Sequence, residues 1–220
     1  MTFPKFKNQK LLTTALTHRS ALNEQVSTST ESNERLEFLG DAVLELLTTN
    51  FLYAECPYDP EGVMTAYRSA LVKTTTLAKV ADRLEIGKKI YMSKGEEATG
   101  GRENPGLLAD TFEAIIGALY LDQGSDPVKK FLEDSLFTEF EIIKKHKLYR
   151  DAKSQLQEIV QGQGFDTPDY KVIKELGPDH NKEFTVEVWV GNVKRGRGKG
   201  FSKQQAQQAS AKEAIKFFEK

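Results

Sequence analysis

Apolar residues recur at helical spacing through the first two thirds of the chain. Leu11 to Leu22 is a short apolar-periodic stretch. From Asn33 to about Tyr53, Leu36, Leu39, Val43 and Leu47 return every three or four positions, as in a helix with one buried face. Ser32 or Asn33 is placed to cap its start. Pro57, Asp59, Pro60 and Gly62 interrupt the pattern, and a second stretch predicts a helix from about Val63 to Leu84. Lys94 to Gly106 is polar and glycine-rich and reads as a loop. Leu107 to Leu121 is helical again, with Phe112, Ile115, Ile116 and Leu119 as its apolar positions. Asp126-Pro127 predicts a cap followed by proline at the first helical position. The helix it opens is expected to continue through Phe131, Leu132, Leu136 and Phe140. No stretch before residue 150 alternates as a strand does, so this part is predicted to be all-helical.

The period then changes. Lys144 to Arg150 is basic and lacks apolar periodicity, which places a boundary there. The division is residues 1–146, a linker at 147–151, and a second domain at 152–220. Ser154 to Gln161 is helical. Phe184, Val186, Val188 and Val190 alternate with Thr185, Glu187 and Trp189, as in a strand with one buried face. Pro168 to Leu176 is a strand before it, and Val193 to Phe201 a glycine-rich one after it. Ser202 opens a final helix, with Gln205 completing a capping box. Ala206, Ser210, Ala211, Ala214, Ile215 and Phe218 share one side, mostly small enough to let the helix lie close to a sheet. The fold class is therefore two-domain: an all-α domain, then a small α+β domain of order α-β-β-β-α.

Composition adds exclusions. The chain has 220 residues, 39% hydrophobic and 29% charged, which is ordinary globular usage. No apolar run approaches the ~20 residues of a membrane span. The segment Met1-Thr2-Phe3-Pro4-Lys5 lacks the apolar core of a secretory signal. Cys56 is the only cysteine, so an internal disulfide is impossible, and a reducing cytoplasm is expected. The net charge of −1 argues against a uniformly basic nucleic-acid binder, but it hides −3 in residues 1–150 and +2 in 151–220. From Val188 to Lys212 the chain carries Lys194, Arg195, Arg197, Lys199, Lys203 and Lys212 and no acid.

The acids are patterned too. Glu34, Glu37 and Asp41 fall within one face of the first long helix. Glu37 and Asp41, then Asp41 and Glu45, are like-charge i,i+4 pairs, each disfavouring the helix by roughly 0.2–0.5 kcal/mol. No Lys or Arg stands four residues ahead of any of them. Asp110 and Glu113 repeat the situation on a second helix. Gly40 and Gly117 lie beside these acids and allow close backbone approach. A hard divalent cation with oxygen ligands reconciles such carboxylates, and magnesium suits them better than zinc because no His or Cys shares these faces. The competing reading is a solvated acidic face, and spacing alone leaves the two open.

Three motifs sharpen the choice. Asn33 to Asp41 reads NERLEFLGD, Leu108 to Ala114 reads LADTFEA, and Thr17 to Ser20 reads THRS. In that order they resemble the motifs of the ribonuclease III family, and the tail resembles a double-stranded RNA-binding domain. The resemblance covers nearly the whole chain. It implies a homodimeric endonuclease that cuts double-stranded RNA and leaves 5′-phosphate and 3′-hydroxyl ends. It further implies roles in ribosomal and messenger RNA processing. The cofactor implied is Mg²⁺, with Mn²⁺ as a substitute. By motif match the metal ligands are Glu37, Asp110 and Glu113, and the catalytic positions are Asp41 and Glu113. Glu34 and Glu61 are additional active-site acids, and Phe38 packs into the partner subunit. In the tail, Ser154, Gln157, Glu158 and Gln161 on the first helix match the RNA contacts. So do His180 in the loop between two strands, and Lys199, Ser202 and Lys203 at the last helix. The departure is Gln204, where the family often has a second lysine. His18 is expected to be structural. Two alternatives are a protein that holds duplex RNA without cutting it, and a helical metal protein with an unrelated tail. The intact acids speak against the first. The absence of a Glu-x-x-His pattern speaks against the second.

Overall fold

A computed structural model describes residues 3–24, 26–149, 151–178 and 182–218. The chain separates into two compact units, Met1–Tyr149 and Arg150–Lys220.

The first unit is helical. It holds α1 (Gln9–Ala15), α2 (Arg19–Glu24), α3 (Glu34–Glu55), α4 (Glu61–Val72), α5 (Thr74–Arg83), α6 (Lys94–Ala98), α7 (Pro105–Gln123), α8 (Ser125–Asp134) and α9 (Phe140–Lys145), with short 3₁₀ turns between some of them. The centre is α7, which buries Leu108, Ala109, Thr111, Phe112 and every residue from Ala114 to Leu119. A helix apolar nearly all round belongs inside a core. It runs antiparallel to α3 at backbone contact. A Cβ on Gly40 would lie 1.8 Å from the Glu113 carbonyl oxygen, and one on Gly117 would lie 2.1 Å from that of Leu36. The two glycines beside the acids thus let the helices touch. The amino end of α1 is tied to α7 as well, since the Lys7 and Asn8 N–H groups donate to the Asp122 carboxylate at 2.7 and 3.0 Å.

The structure differs from the periodicity in four places, each with a local cause. The stretch from Leu11 to Leu22 is two helices, not one. Leu16 and His18 exchange backbone bonds with Tyr91 at 2.8 and 2.9 Å, forming a parallel bridge at Thr17, which pulls this segment out of helical geometry. The stretch from Val63 to Leu84 breaks at Lys73, which is extended. The Thr76 hydroxyl donates to the Ala70 carbonyl at 2.8 Å, the kind of local bond by which threonines compete with a helix. The polar loop from Lys94 contains α6, capped by the Ser93 hydroxyl, which accepts from the Glu96 N–H. Finally, Asp126 is no cap. Gly124, at φ +82°, ends α7 and precedes α8, leaving Asp126 inside the first turn. That helix stops at Asp134 instead of reaching Phe140. Glu139, 3% exposed, turns inward to meet Lys79 at 2.8 Å and Arg83 at 2.6 Å.

Neither Ser32 nor Asn33 caps α3 with its side chain: the Ser32 hydroxyl donates to the Glu34 carboxylate at 2.9 Å. At the other end of the unit, α9 closes with Lys147 at φ +52°. The Leu148 N–H donates to the Ile143 carbonyl and that of Lys147 to Lys144, a Schellman closure without its usual glycine.

The second unit comprises α10 (Ala152–Gly162), β1 (Asp169–Leu176), β2 (Glu183–Val190), β3 (Val193–Gly200) and α11 (Lys203–Phe218). The sheet is antiparallel in the order β1-β2-β3. Val188 and Val190 pack with Leu156 and Val160 of α10 and Ala211, Ala214 and Ile215 of α11. Gly198 on β3 faces α11 so closely that a Cβ would meet the Ser210 nitrogen at 2.2 Å. The Ser202 hydroxyl accepts from the Gln205 N–H, and the Gln205 side chain accepts from Phe201, one residue short of a full capping box.

Candidate functional site

Glu37 projects from α3, and Asp110 and Glu113 from α7. One carboxylate oxygen from each lies within 4.8 Å of the other two, and all three side chains are half-buried. The glycine contact makes this possible: Gly40 sits against the Glu113 carbonyl, so acids one turn apart on one helix face acids on the other. Three partly desolvated carboxylates at that separation resist full ionisation. Burial first, then the charge of Asp41, pushes Glu113 up to about 8. Burial, then Asp110, Glu34 and Asp41, raises Glu37 above the usual range. Asp110 is raised by burial, with His18 pulling the other way.

Asp41 is exposed and contributes no oxygen to the triad, but its charge acts on both Glu37 and Glu113. Glu34 lines the same cavity as Glu37 and Asp110, and its carboxylate lies 3.8 Å from Arg19. Glu61 stands apart. It begins α4, accepts from the Thr65 hydroxyl at 2.9 Å, and lines a separate small cavity with Tyr53, Met64 and Arg68. His18, expected to be structural, lines the triad cavity. The Ser20 N–H donates to its Nδ1 at 3.3 Å and the Ser20 hydroxyl lies 2.8 Å from the same atom. It reaches the site from another segment, so no periodicity on α3 or α7 reveals it. Glu45, with no basic residue four positions ahead, is met by Arg68 of α4 at 3.0 Å.

Phe38 is 83% exposed, so it takes no part in the core of its own chain. It borders a groove with Leu11, Leu39 and Leu121.

In the second unit, Ser154, Gln157, Glu158 and Gln161 are exposed on α10. Ser202 caps α11 and Lys203 opens it, its amine 3.7 Å from Glu175 and 5.7 Å over the Phe184 ring. Lys199 alternates with Gly198 and Gly200, which face α11. It therefore points to the other side of the sheet, where Glu183 pairs with it at 2.9 Å. The structure separates it from the α10 and α11 set. His180 lies outside the described residues. The acid-free basic segment is thus partly neutralised by Glu175, Glu183 and Glu187, with Lys194 3.2 Å from Glu187.

Residues 8–140 match a family model described as ribonuclease-III-like. The chain belongs to the ribonuclease III family. Residues 152–217 match the double-stranded RNA binding motif. The chain is 48% identical over 211 residues to ribonuclease 3 of Geobacillus kaustophilus, covering 96% of this chain and 85% of the relative. It is 47% identical over 212 residues to ribonuclease 3 of Bacillus cereus, covering 96% and 86%. Among solved structures, the nuclease domain of ribonuclease III from Campylobacter jejuni aligns with TM-score 0.57 at 41% identity, over 62% of this chain and 92% of that one. That structure is described for flexibility in a region involved in dimer formation. A Dicer from Pichia stipitis aligns at TM-score 0.50 and 31% identity over 98% of this chain and 97% of its own.

Proposed function

We propose that this ribonuclease III family member is an endoribonuclease that hydrolyses phosphodiester bonds in double-stranded RNA, with Mg²⁺ held by Glu37, Asp110 and Glu113. The convergence of those carboxylates from two helices carries the reading. The donor set fits a hard cation: every ligand atom is a carboxylate oxygen, and the burial and neighbouring negative charge that raise Glu113 to about 8 are what a divalent charge would offset. When bound, the metal supplies an activated water and charge stabilisation at the phosphate. The residues' part is to hold and orient. Glu37 and the α7 pair fix the ligand oxygens. Asp41, exposed beside them, adds its negative charge to Glu37 and Glu113. Glu34 and His18 border the cavity in which the scissile phosphate would lie. Water as nucleophile, with the P–O3′ bond breaking and the 3′-oxygen leaving with a proton, gives 5′-phosphate and 3′-hydroxyl ends, and the 2′-hydroxyl forms no cyclic phosphate. Mn²⁺, with the same preference for oxygen ligands, is expected to substitute.

The duplex is held by the second unit, through Ser154, Gln157, Glu158 and Gln161 on α10 and Ser202 and Lys203 on α11, with His180 and Lys199 as further contacts. Duplex RNA is met through 2′-hydroxyls and phosphates, and a polar helix face beside a lysine-bearing helix start suits both. A homodimer forms through the exposed Phe38, which a second copy would cover; the similar Campylobacter nuclease domain, with its region involved in dimer formation, supports this. Glu61, apart from the triad in its own chain, is then offered to a site in that assembly. Processing of ribosomal and messenger RNA in the cytoplasm completes the reading, consistent with an unpaired, buried Cys56. Among the described residues no helix is long and apolar enough to cross a membrane.

The test is incubation of a long RNA duplex with Mg²⁺, Mn²⁺ or EDTA, followed by end-group analysis. Cutting with either metal, none in EDTA, and 5′-phosphate ends are expected. Cyclic phosphate ends, or cleavage that persists in EDTA, would overturn the reading.

A further inference from the structure

The second unit holds one lysine in an unusual way. Lys153, in the first turn of α10, donates from its Nζ to the Gln207 side-chain oxygen on α11 at 2.8 Å. The same amine lies 5.1 Å over the ring of Tyr170. Among the described residues no carboxylate lies within ion-pair distance of it, whereas Lys194, Lys199 and Lys203 each have one. The charge is therefore positioned by a neutral amide and a ring face, with no ion pair to a carboxylate among the described residues. An ammonium has three donors; the amide takes one and leaves two.

The position of the amine matters as much as its charge. Lys153 is one turn before Gln157 on α10, and Gln207 is one turn after Lys203 on α11. Residues four apart share a helix face, so the Lys153–Gln207 bond joins the two faces assigned above to duplex RNA. Between Lys203 and Lys212, α11 carries Gln204, Gln205, Gln207 and Gln208 and no cation. Its own charge toward a polyanion is thin, and Lys153 adds one from the neighbouring helix. Holding a long side chain in place beforehand lowers the ordering cost at binding.

We propose that Lys153 is a further phosphate-binding residue of the duplex-RNA surface, held in position by Gln207 and Tyr170. This rests on the reading of α10 and α11 as that surface.

The experiment uses the full chain and a duplex RNA without divalent cation, so that nothing is cut. Affinity is measured across monovalent salt from about 50 to 200 mM, where each lost phosphate contact lowers the slope of log affinity against log salt by roughly 0.7–0.9. Lys153→Met keeps the apolar stem against Tyr170. It is expected to weaken binding about five- to tenfold at low salt and to lower the slope by one contact. Adding Gln207→Lys places an amine at the same point from the other helix and should restore both affinity and slope. A lowered melting temperature with an unchanged slope, or a slope that Gln207→Lys fails to restore, would overturn the proposal and leave Lys153 a packing residue. Lys203→Gln is measured in parallel. If Lys203→Gln lowers the slope and Lys153→Met does not, only the Lys153 assignment falls. If the wild type shows no salt-dependent duplex binding, the surface reading falls with it.

Discussion

Glu113 shows how one residue's surroundings turn into a measurable pH response. Its carboxyl is raised to about 8 in the metal-free protein, against about 4.3 in an unfolded chain. A carboxyl raised on folding binds its proton more tightly in the native state. Its contribution is full below the unfolded value and is lost as pH climbs towards 8. Metal-free protein should therefore melt higher at pH 5.5 than at pH 8. Glu113→Gln should flatten that difference, bind duplex RNA as wild type does, and fail to cut in Mg²⁺. Thermal melts at the two pH values with a cleavage assay check all three, and near-normal cutting by the variant would refute the ligand assignment. Lys147 offers a second case. With φ at +52°, it occupies backbone space that suits glycine. Lys147→Gly is expected to stabilise the first unit by about 0.5–1 kcal/mol, the relief of left-handed strain less the entropy glycine loses on folding, readable in chemical denaturation. At this scale the sequence was informative where the partner lies on the same helix and silent where it does not. The repulsions of Glu37 and Asp41 were visible from spacing. Arg68 beside Glu45 and His18 beside Asp110 were not, because each arrives from another element.

The pairing of α3 with α7 shows what an element's pattern can foretell. Gly40 and Gly117 stand next to the acids, and their role as contact points was readable from the chain alone. The contact is backbone on backbone, so it has no flexible side chain to give way. Gly117→Ala would drive a methyl to 2.1 Å from the Leu36 carbonyl and force the helices apart. We expect a loss of about 3 kcal/mol or more, beyond ordinary overpacking, together with loss of cleavage, as urea titration and the duplex assay would report. Helix existence was legible except at α6, which lies in the stretch that reads as a loop; helix continuity was not. The stretches broken at Thr17, Lys73 and Ser135 kept their apolar period across the break. What interrupts them are a bridge to Tyr91, a threonine back-bond and an inward Glu139, all set by tertiary neighbours. The consecutive threonines at 74–76 were the one local hint.

For the molecule as a whole, two separable units predict separable losses. The triad lies entirely in the first unit, and the helix faces assigned to RNA lie in the second. Deleting residues 151–220 should cost affinity far more than chemistry, so that the remainder cuts only at low salt, where fewer phosphate contacts suffice. Full activity of the truncated chain at physiological salt would show that the tail is not the main grip. Phe38→Ala should shift sedimentation towards monomer and lower the melting temperature no further than loss of the partner does, since an 83% exposed ring supports no internal packing. The switch from 3.6- to 2-residue periodicity revealed both fold types. Net charge was a poorer guide: the basic run of the tail meets Glu175, Glu183 and Glu187 across the sheet, which no linear count displays.

The bond from the Lys7 and Asn8 amides to Asp122 spans 114 to 115 residues of chain. During synthesis the first helix is made early, yet its anchor is the last turn of α7. At the usual 5–20 residues per second, about 6–23 s separate the synthesis of Lys7 and Asn8 from the arrival of Asp122. Until then the N-terminal segment lacks this anchor, and the helical unit cannot close around its central helix. An arrested nascent chain ending near residue 115 should leave that segment open to protease, and one extended well past 122 should shield it.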